Sequence, residues 1–424
     1  MKTNASTPNL VAPVGMHDVL YPQSSRWEQV IVTFADLVER AGFGLIISPL
    51  LEDLAVFNRG IGSESDVVRK EMYELEDRSG RHLALRPEGT ASIVRAFVQH
   101  RPNLVWKAWY LTPAFRYERP QAGRYRQHHQ LGVELLGTDD PEADIEVISL
   151  AGSFYRSLGI EKVKLSINSM GDGQCRPAYI ELIRDLLIDR KDQLCKEHAS
   201  RAGINPLRVL DCKRGECIQA TADLPHLVDH LCPACISHFA TVREGLADLG
   251  FEAEINHRLV RGLDYYTRTT FEFSALKLQS AQNAIGGGGR YDGLVESLGG
   301  PPTPGIGFGI GIERLLLAAD EEGVLPLPES STDIFVVDIV GGHRARVITH
   351  ELRSNGIRAI RSFDNRSIKA QLKLADRSGA KFAIIVGPDE DRADIVTVKA
   401  LRGDEPQVNV KASLVADYMK GLLG

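Results

Sequence analysis

The chain has 424 residues, 43% hydrophobic and 25% charged, with a formal net charge of −6. That length suits two or three domains, and the composition is that of an ordinary soluble globular protein. No apolar run is long enough to cross a bilayer, the start MKTNASTPNL lacks the apolar stretch of a secretory signal, and six cysteines in a chain this long do not make a disulfide scaffold, so the cytoplasm is expected.

Ser25 and Glu28 have capping-box spacing ahead of Val30, Ile31, Phe34, Leu37 and Val38, an amphipathic helical pattern closed by Gly42. Gly44 to Leu50 reads as a strand, with Pro49 at an edge or terminus where no ladder N–H is needed. Met72 to Leu75 and Leu83 to Leu85 read as a hairpin about Arg78-Ser79-Gly80. Glu88, within Arg86-Pro87-Glu88-Gly89-Thr90, follows that strand just before a helix predicted to begin near Thr90. A carboxylate there either holds an ammonium group or complements the helix dipole.

Lys107 to Gly137 reads KAWYLTPAFRYERPQAGRYRQHHQLGVELLG. Two apolar runs, Trp109 to Phe115 and Leu131 to Leu136, flank a loop broken by Pro120 and Gly123, which predicts an antiparallel pair. Arg116, Arg119, Arg124 and Arg126 offer planar, permanent cations for phosphate. Gln130 and Glu134 are four apart on the second strand and so share a face. That face beside the arginines predicts a site for both an anionic and a cationic partner, as against a surface hairpin with solvated charges.

A helix about Ala143 to Leu158 and a strand Val163 to Ile167 follow. From about Gly171 to Gly250 the pattern is mostly helical, an inserted subdomain with charged faces and clustered cysteines. Cys212 and Cys217 flank four residues and Cys232 and Cys235 flank two, a spacing open to tetrahedral zinc. Each pair also sits among apolar residues, where free cysteine packs as a small hydrophobe. The second reading is preferred, so no resident metal is expected.

In Leu259 to Phe273, Tyr265, Thr267, Thr269 and Phe271 alternate with Tyr266, Arg268, Thr270 and Glu272, a strand pattern. Arg261, just upstream, has Asp264 as a nearby candidate partner. Gly286 to Leu294, GGGGRYDGL, permits close backbone approach to a ligand. In Gly305 to Leu317, GIGFGIGIERLLL, glycines at 305, 307, 309 and 311 lie on one strand face, and the dinucleotide spacing G-x-G-x-x-G is absent. Glu313 and Arg314 open a leucine-rich helix, where an arginine can stack on a purine and reach a phosphate.

LPLPESST, rich in proline and polar residues, reads as a domain boundary. From Asp333, strands and helices alternate with lengths that imply βαβ crossovers and a parallel or mixed sheet. From Ser331 onward there are 15 Lys and Arg against 12 Asp and Glu, net +3, leaving 35 against 44 in the rest, net −9. A local basic face can bind phosphate on a protein that is acidic overall.

Five of these stretches, in this order, resemble the three class II aminoacyl-tRNA synthetase motifs and two peptides peculiar to the histidyl enzymes. The likeness covers almost the whole chain. It implies an α/β (α+β) architecture: a catalytic domain over 1–330 on an antiparallel sheet, with a helical insertion about 171–250, and an α/β anticodon-binding domain over 331–424. It implies activation of L-histidine with ATP and Mg²⁺ to histidyl-adenylate, then transfer to the 3′ end of tRNA(His). The first motif would build a homodimer, and no membrane or DNA partner is expected. By the same likeness, Glu88 and Thr90 of RPEGT grip the substrate α-amino group. Arg116, Arg261 and Arg314 are catalytic, and with Arg124 and His128 they bind ATP. Gln130, Glu134, Tyr265, Tyr266 and Tyr291 form the histidine pocket. Arg119 and Gln121 face the tRNA acceptor end, which the insertion also contacts. His128 departs from the family, where an aromatic carbocycle commonly stacks on adenine; a neutral imidazole still stacks. The alternative is a non-catalytic histidine-sensing paralogue, like the regulatory subunit of ATP phosphoribosyltransferase. Such paralogues typically lose the terminal domain and parts of the ATP motifs, whereas Arg116, Arg261, Arg314 and the terminal domain are all present.

Overall fold

The computed structural model describes residues 10–62, 65, 67–278, 283–328, 332–363 and 366–423. Residues 1–9 and Glu329–Ser331, where the start and the expected boundary fall, lie outside them. The chain forms two compact units, Met1–Leu20 with Arg26–Pro326 and Tyr21–Ser25 with Leu327–Gly424.

The first helix, α1 (Gln23–Arg40), turns Val30, Phe34 and Val38 into the core of the first unit. The helix starts two residues before Ser25, so that residue lies in its first turn and the expected capping box does not form. β1 (Gly44–Leu45) is far shorter than the strand read over 44–50. β2 (Leu51–Asp53), β3 (Tyr73–Glu76) and β4 (His82–Leu85) make a small antiparallel sheet, with α2 (Leu54–Gly60) between the first two. Asp53 caps α2 by accepting from Ala55 N at 2.8 Å. α3 (Thr90–His100), β5 (Trp106–Phe115), β6 (Gln127–Leu136), α4 (Pro141–Ser157) and β7 (Val163–Ser169) follow.

The insertion holds α5 (Arg176–Asp189), α6 (Lys196–Ala199), α7 (Leu207–Leu210), α8 (Gly215–Ala220) and α9 (Pro233–Asp248). Its own apolar core runs from Met170 to Leu227 and takes in Val260. α9, inside the span assigned to the insertion, instead buries Phe239, Val242 and Leu246 in the main core. The cysteines also group otherwise than their spacing suggested. Cys212 and Cys217 join Cys195 and His198, while Cys232 and Cys235 join Asp172 and Cys175.

β8 (Ala253–Ile255), β9 (Thr267–Ala275), β10 (Ala284–Arg290), α10 (Leu294–Ser297), β11 (Gly305–Gly311) and α11 (Ile312–Glu322) complete the unit. Tyr265 and Tyr266, read as part of a strand, precede β9. The main sheet has the order β1-β5-β6-β11-β10-β9-β7-β8. Its two outermost pairs, β1 with β5 and β7 with β8, are parallel and the rest antiparallel. Period-two alternation divides its faces. Leu131, Val133 and Leu135 of β6 and Ile306, Phe308 and Ile310 of β11 enter the core under α1, α4 and α11. Gln130, Gly132 and Glu134 therefore face the other way, together with the odd-numbered glycines of β11. Gly307 pairs with Glu134 and Gly311 with Gln130.

The second unit contains β12 (Ile334–Asp338), α12 (His343–Ser354), β13 (Ala359–Arg361), α13 (Ile368–Arg377), β14 (Phe382–Val386), α14 (Pro388–Ala393), β15 (Ile395–Ala400), β16 (Val408–Lys411) and α15 (Val415–Leu423). Its sheet order is β13-β12-β14-β15-β16, parallel through β14 and antiparallel beyond. β12 is apolar on both faces because Ile334 and Val336 enter one core and Phe335 and Val337 another. Among the described residues no helix is long and apolar enough to cross a membrane.

Candidate active site

A cavity of about 410 Å³ opens on the glycine face of the main sheet. Arg116 and Arg124 reach it from the loop after β5, His128 and Gln130 from β6, Arg261 from the segment before β9, and Arg314 from the first turn of α11. The arginines are anchored by specific acceptors. Arg116 Nε donates to Pro87 O at 2.9 Å, and Arg314 donates from Nε to Gly123 O at 2.7 Å and from Nη1 to Ala284 O at 3.1 Å. Arg261 Nη1 lies 3.0 Å from Glu272 Oε2, and Arg124 pairs with Glu118. The partner of Arg261 is therefore not Asp264, which pairs with Arg208 at 3.0 Å.

Close approach makes two of the glycines indispensable to this geometry. A Cβ on Gly287 would lie 2.7 Å from Arg261 Nη1 and 2.6 Å from Phe271 O. One on Gly307 would lie 1.9 Å from Glu134 Oε2. The glycine runs thus make room for the protein's own site side chains.

Burial, with the guanidinium groups of Arg116 and Arg314 nearby, pushes the pKa of His128 down to about 3. It is a neutral ring at physiological pH, the state suited to stacking on a base. Its neighbour His129 is held by Glu313, which accepts from the backbone N at 3.0 Å and lies 2.9 Å from Nδ1.

Glu88, Thr90, Glu134, Tyr265, Tyr266 and Tyr291 do not line the cavity but form a second cluster. Glu134 is fully buried and accepts from Thr90 Oγ1 at 2.7 Å, from Tyr110 OH at 3.1 Å and from Tyr291 OH. Burial, with Glu88 adding to it, raises its pKa to about 8 against these hydrogen bonds. Glu88 accepts from the backbone N of Thr90 at 2.6 Å and of Ala91 at 2.8 Å, so it does complement the start of α3, and burial raises its pKa too. The Tyr265 ring lies 4.6 Å from Tyr266 and 5.8 Å from Tyr291. Two residues join cluster and cavity: Gln130, which accepts from Gly89 N at 3.2 Å, and Arg261, whose guanidinium is 5.8 Å from the Tyr266 ring. A chamber of buried carboxyls and phenols thus adjoins a cavity of arginines, able to take an ammonium and a polar ring beside a polyphosphate.

Arg119 and Gln121 are exposed at the loop tip and line no part of the cavity; Gln121 N donates to Arg124 O at 3.0 Å. Four participants escaped the sequence reading. Tyr110 and Glu272 carry a strand pattern but no mark of their partners. Asp211 and Lys213 line the cavity from the insertion and flank Cys212, with no motif around them.

Residues 15–315 match the family described as Histidyl-tRNA synthetase, and residues 326–422 match the Anticodon binding domain. The chain is 46% identical over 417 residues to a histidine–tRNA ligase of Rhodococcus erythropolis, covering 97% of this chain and 98% of that one. A histidine–tRNA ligase of Corynebacterium kroppenstedtii is 45% identical over 428 residues, with 100% of both chains covered. The fold is similar to the crystal structure of apo S. aureus histidyl-tRNA synthetase, with a TM-score of 0.81 and 34% identity over 97% of this chain and 100% of that one.

Proposed function

The chain belongs to the histidyl-tRNA synthetase family of class II enzymes, and on that ground we propose that its cavity activates L-histidine with ATP to histidyl-adenylate and passes the histidyl group to tRNA(His). The observation that carries this reading is the convergence of Arg116, Arg261 and Arg314, from three distant stretches, on one cavity beside the buried Glu88 and Glu134. The full-length match to ligases weighs against the histidine-sensing paralogue.

In the first step a carboxylate oxygen of histidine attacks the α-phosphorus of ATP, and the bond to the β-phosphate oxygen breaks to release diphosphate. Both reactants are anionic. Arg116 and Arg261 offset that repulsion and hold the in-line geometry, where orientation alone can supply roughly 7–11 kcal/mol. Arg314 and His128 hold the adenine and Arg124 the phosphates. Glu88 and Thr90 hold the ammonium, Gln130 lies beside them, and Glu134 reads the imidazole in a pocket closed by Tyr265, Tyr266 and Tyr291. Such polar groups reject an apolar analogue because they would be left unpaired. Mg²⁺ arriving with ATP would neutralise phosphate charge, and Glu118 and Glu272 on the cavity wall offer the hard oxygens it prefers. In the second step a terminal ribose hydroxyl of the tRNA attacks the activated carbonyl and AMP leaves.

Arg119, Gln121 and the insertion meet the acceptor end in this reading. In the second unit, Arg361 lies 4.9 Å from the ring of exposed Phe363, a pair suited to a splayed anticodon base. A homodimer is supported by the exposed apolar side chains of Leu45, Ile47 and Leu50 around β1, Ile47 being 86% exposed. The enzyme works in the cytoplasm. The test is charging: with ATP and labelled histidine the protein should esterify tRNA(His) and release AMP. Absence of the ester would overturn the proposal.

A further inference from the structure

All six cysteines of the chain lie between Cys175 and Cys235, and they converge in two groups of three. Each group has one further ligand: His198 beside Cys195, Cys212 and Cys217, and Asp172 beside Cys175, Cys232 and Cys235. Within each group the candidate ligand atoms lie within 4.8 Å of one another. Ligands about 2.3 Å from a tetrahedral zinc sit about 3.8 Å apart. Cys175 Sγ and Cys235 Sγ are 3.9 Å apart, and Cys232 Sγ is 3.8 Å from each carboxylate oxygen of Asp172. In the other group Cys195 Sγ lies 3.0 Å from His198 Nδ1.

We propose that the insertion is a two-zinc module, with one ion held by Cys195, His198, Cys212 and Cys217 and the other by Asp172, Cys175, Cys232 and Cys235. This replaces the expectation, drawn from the apolar neighbours of each pair, that the cysteines serve only as buried hydrophobes. Hydrophobic packing gives no reason for three sulfurs and an imidazole, or three sulfurs and a carboxylate, to converge. The first set is the three-cysteine, one-histidine combination of structural zinc sites, and the second offers four zinc donors with a carboxylate in place of the imidazole. Cys175 and Cys232 are the N-cap residues of α5 and α9. Backbone amides support the sulfurs, Cys195 N donating to Cys217 Sγ at 3.2 Å and Asp172 N to Cys175 Sγ at 3.4 Å. The need is also local, since α6, α7 and α8 have only 4, 4 and 6 residues. Such short helices are marginal alone, and metal-binding free energy becomes folding free energy.

The two sites bracket the segment that carries Arg261, Tyr265 and Tyr266. At its start, Arg258 donates to Cys212 O at 3.1 Å and to Thr221 Oγ1 at 2.6 Å. At its end, Arg268 N donates to Gly171 O at 2.7 Å, and Arg176, next to Cys175, donates to Tyr266 O at 2.7 Å. Cys212 also stands between Asp211 and Lys213, both on the cavity wall. The zinc ions therefore fix the two ends of one wall of the active site.

The test is elemental analysis of the full-length protein, grown with added zinc and purified without chelators or metal resins. Two zinc ions per chain are expected, falling to one in Cys217→Ser and to one in Cys235→Ser. Contents near zero overturn the proposal. A content near one that only one substitution abolishes overturns the other site, and iron with labile sulfide overturns zinc. Should the variants fail to fold, the unsubstituted protein grown with cobalt decides: tetrahedral thiolate absorption supports the assignment, and its absence contradicts it. Metal content is read without any activity, so it stands or falls apart from the ligase reading.

Discussion

Arg261 sits where chemistry and packing meet, paired with Glu272 and close to the Tyr266 ring. Its place on the cavity wall was legible because a short peptide carries it; its partner was not, because which acid meets it depends on how the segment before β9 lies across that strand. Tyr110 was hidden for the same reason. It reaches Glu134 only because β5 and β6 pair with Tyr110 opposite Gly132. Removing one preorganised charge-stabilising group typically costs about 10²–10³ in rate. Arg261→Ala should therefore keep the fold by circular dichroism and lose ATP–diphosphate exchange on that scale, and exchange within about threefold of the unsubstituted protein contradicts the role. Glu134→Gln should raise the KM for histidine more than that for ATP; the reverse order refutes its assignment to the imidazole. Glu134 also makes stability depend on pH. Its folded-state pKa, about 8, lies above the ordinary 4.5, so the folded state binds the proton more tightly. Its contribution is complete below 4.5 and declines as pH rises toward 8, with a slope approaching about 1.4 kcal/mol per pH unit. Thermal melts of the ligand-free protein from pH 5 to 8 should decline less steeply in Glu134→Gln, and parallel curves would exclude this linkage.

The pairing of β6 with β11 sets the site, because one face of each strand is apolar core and the other is acid, amide and glycine. That alternation was readable from period two, as was the hairpin of β5 and β6. Misreadings came where a local signal competed with the assembled structure. Ser25 and Glu28 have capping spacing, yet α1 begins at Gln23. Gly44 to Leu50 reads as a strand, yet only Gly44 and Leu45 find a partner strand. The cysteine pairs look like one site in sequence because chain spacing says nothing of which loops converge. β11 carries its own test. A Cβ on Gly307 would meet Val133 O at 2.5 Å and Glu134 Oε2 at 1.9 Å, whereas one on Gly309 would meet only Gln130, at 3.7 Å. Backbone cannot yield as a flexible side chain does, so Gly307→Ala should cost about 1–3 kcal/mol or more, while Gly309→Ala should be tolerated. Equal losses in urea melts of the two variants would contradict the close packing of β11 on β6.

The whole chain divides its work between two units, and the alternation of strands and helices after Asp333 announced the second of them. The antiparallel β15 and β16 went unread, although Gly403, Asp404 and Pro406 between them carry a turn signal. All the cavity residues belong to the first unit. Deleting Ser331 onward should therefore leave adenylate formation largely intact and impair tRNA charging; equal charging by the truncated protein would refute an anticodon role for the second unit. Phe363→Ala should likewise raise the KM for tRNA without changing ATP–diphosphate exchange, and an unchanged KM would remove Phe363 from that surface. The central claim, that a cavity of arginines beside a buried acid and phenol chamber selects and activates histidine, is tested most directly by ATP–diphosphate exchange with each of the twenty amino acids in turn. Exchange supported by histidine and by no other amino acid is the predicted result. Exchange with none of them, or with another in preference to histidine, would contradict it.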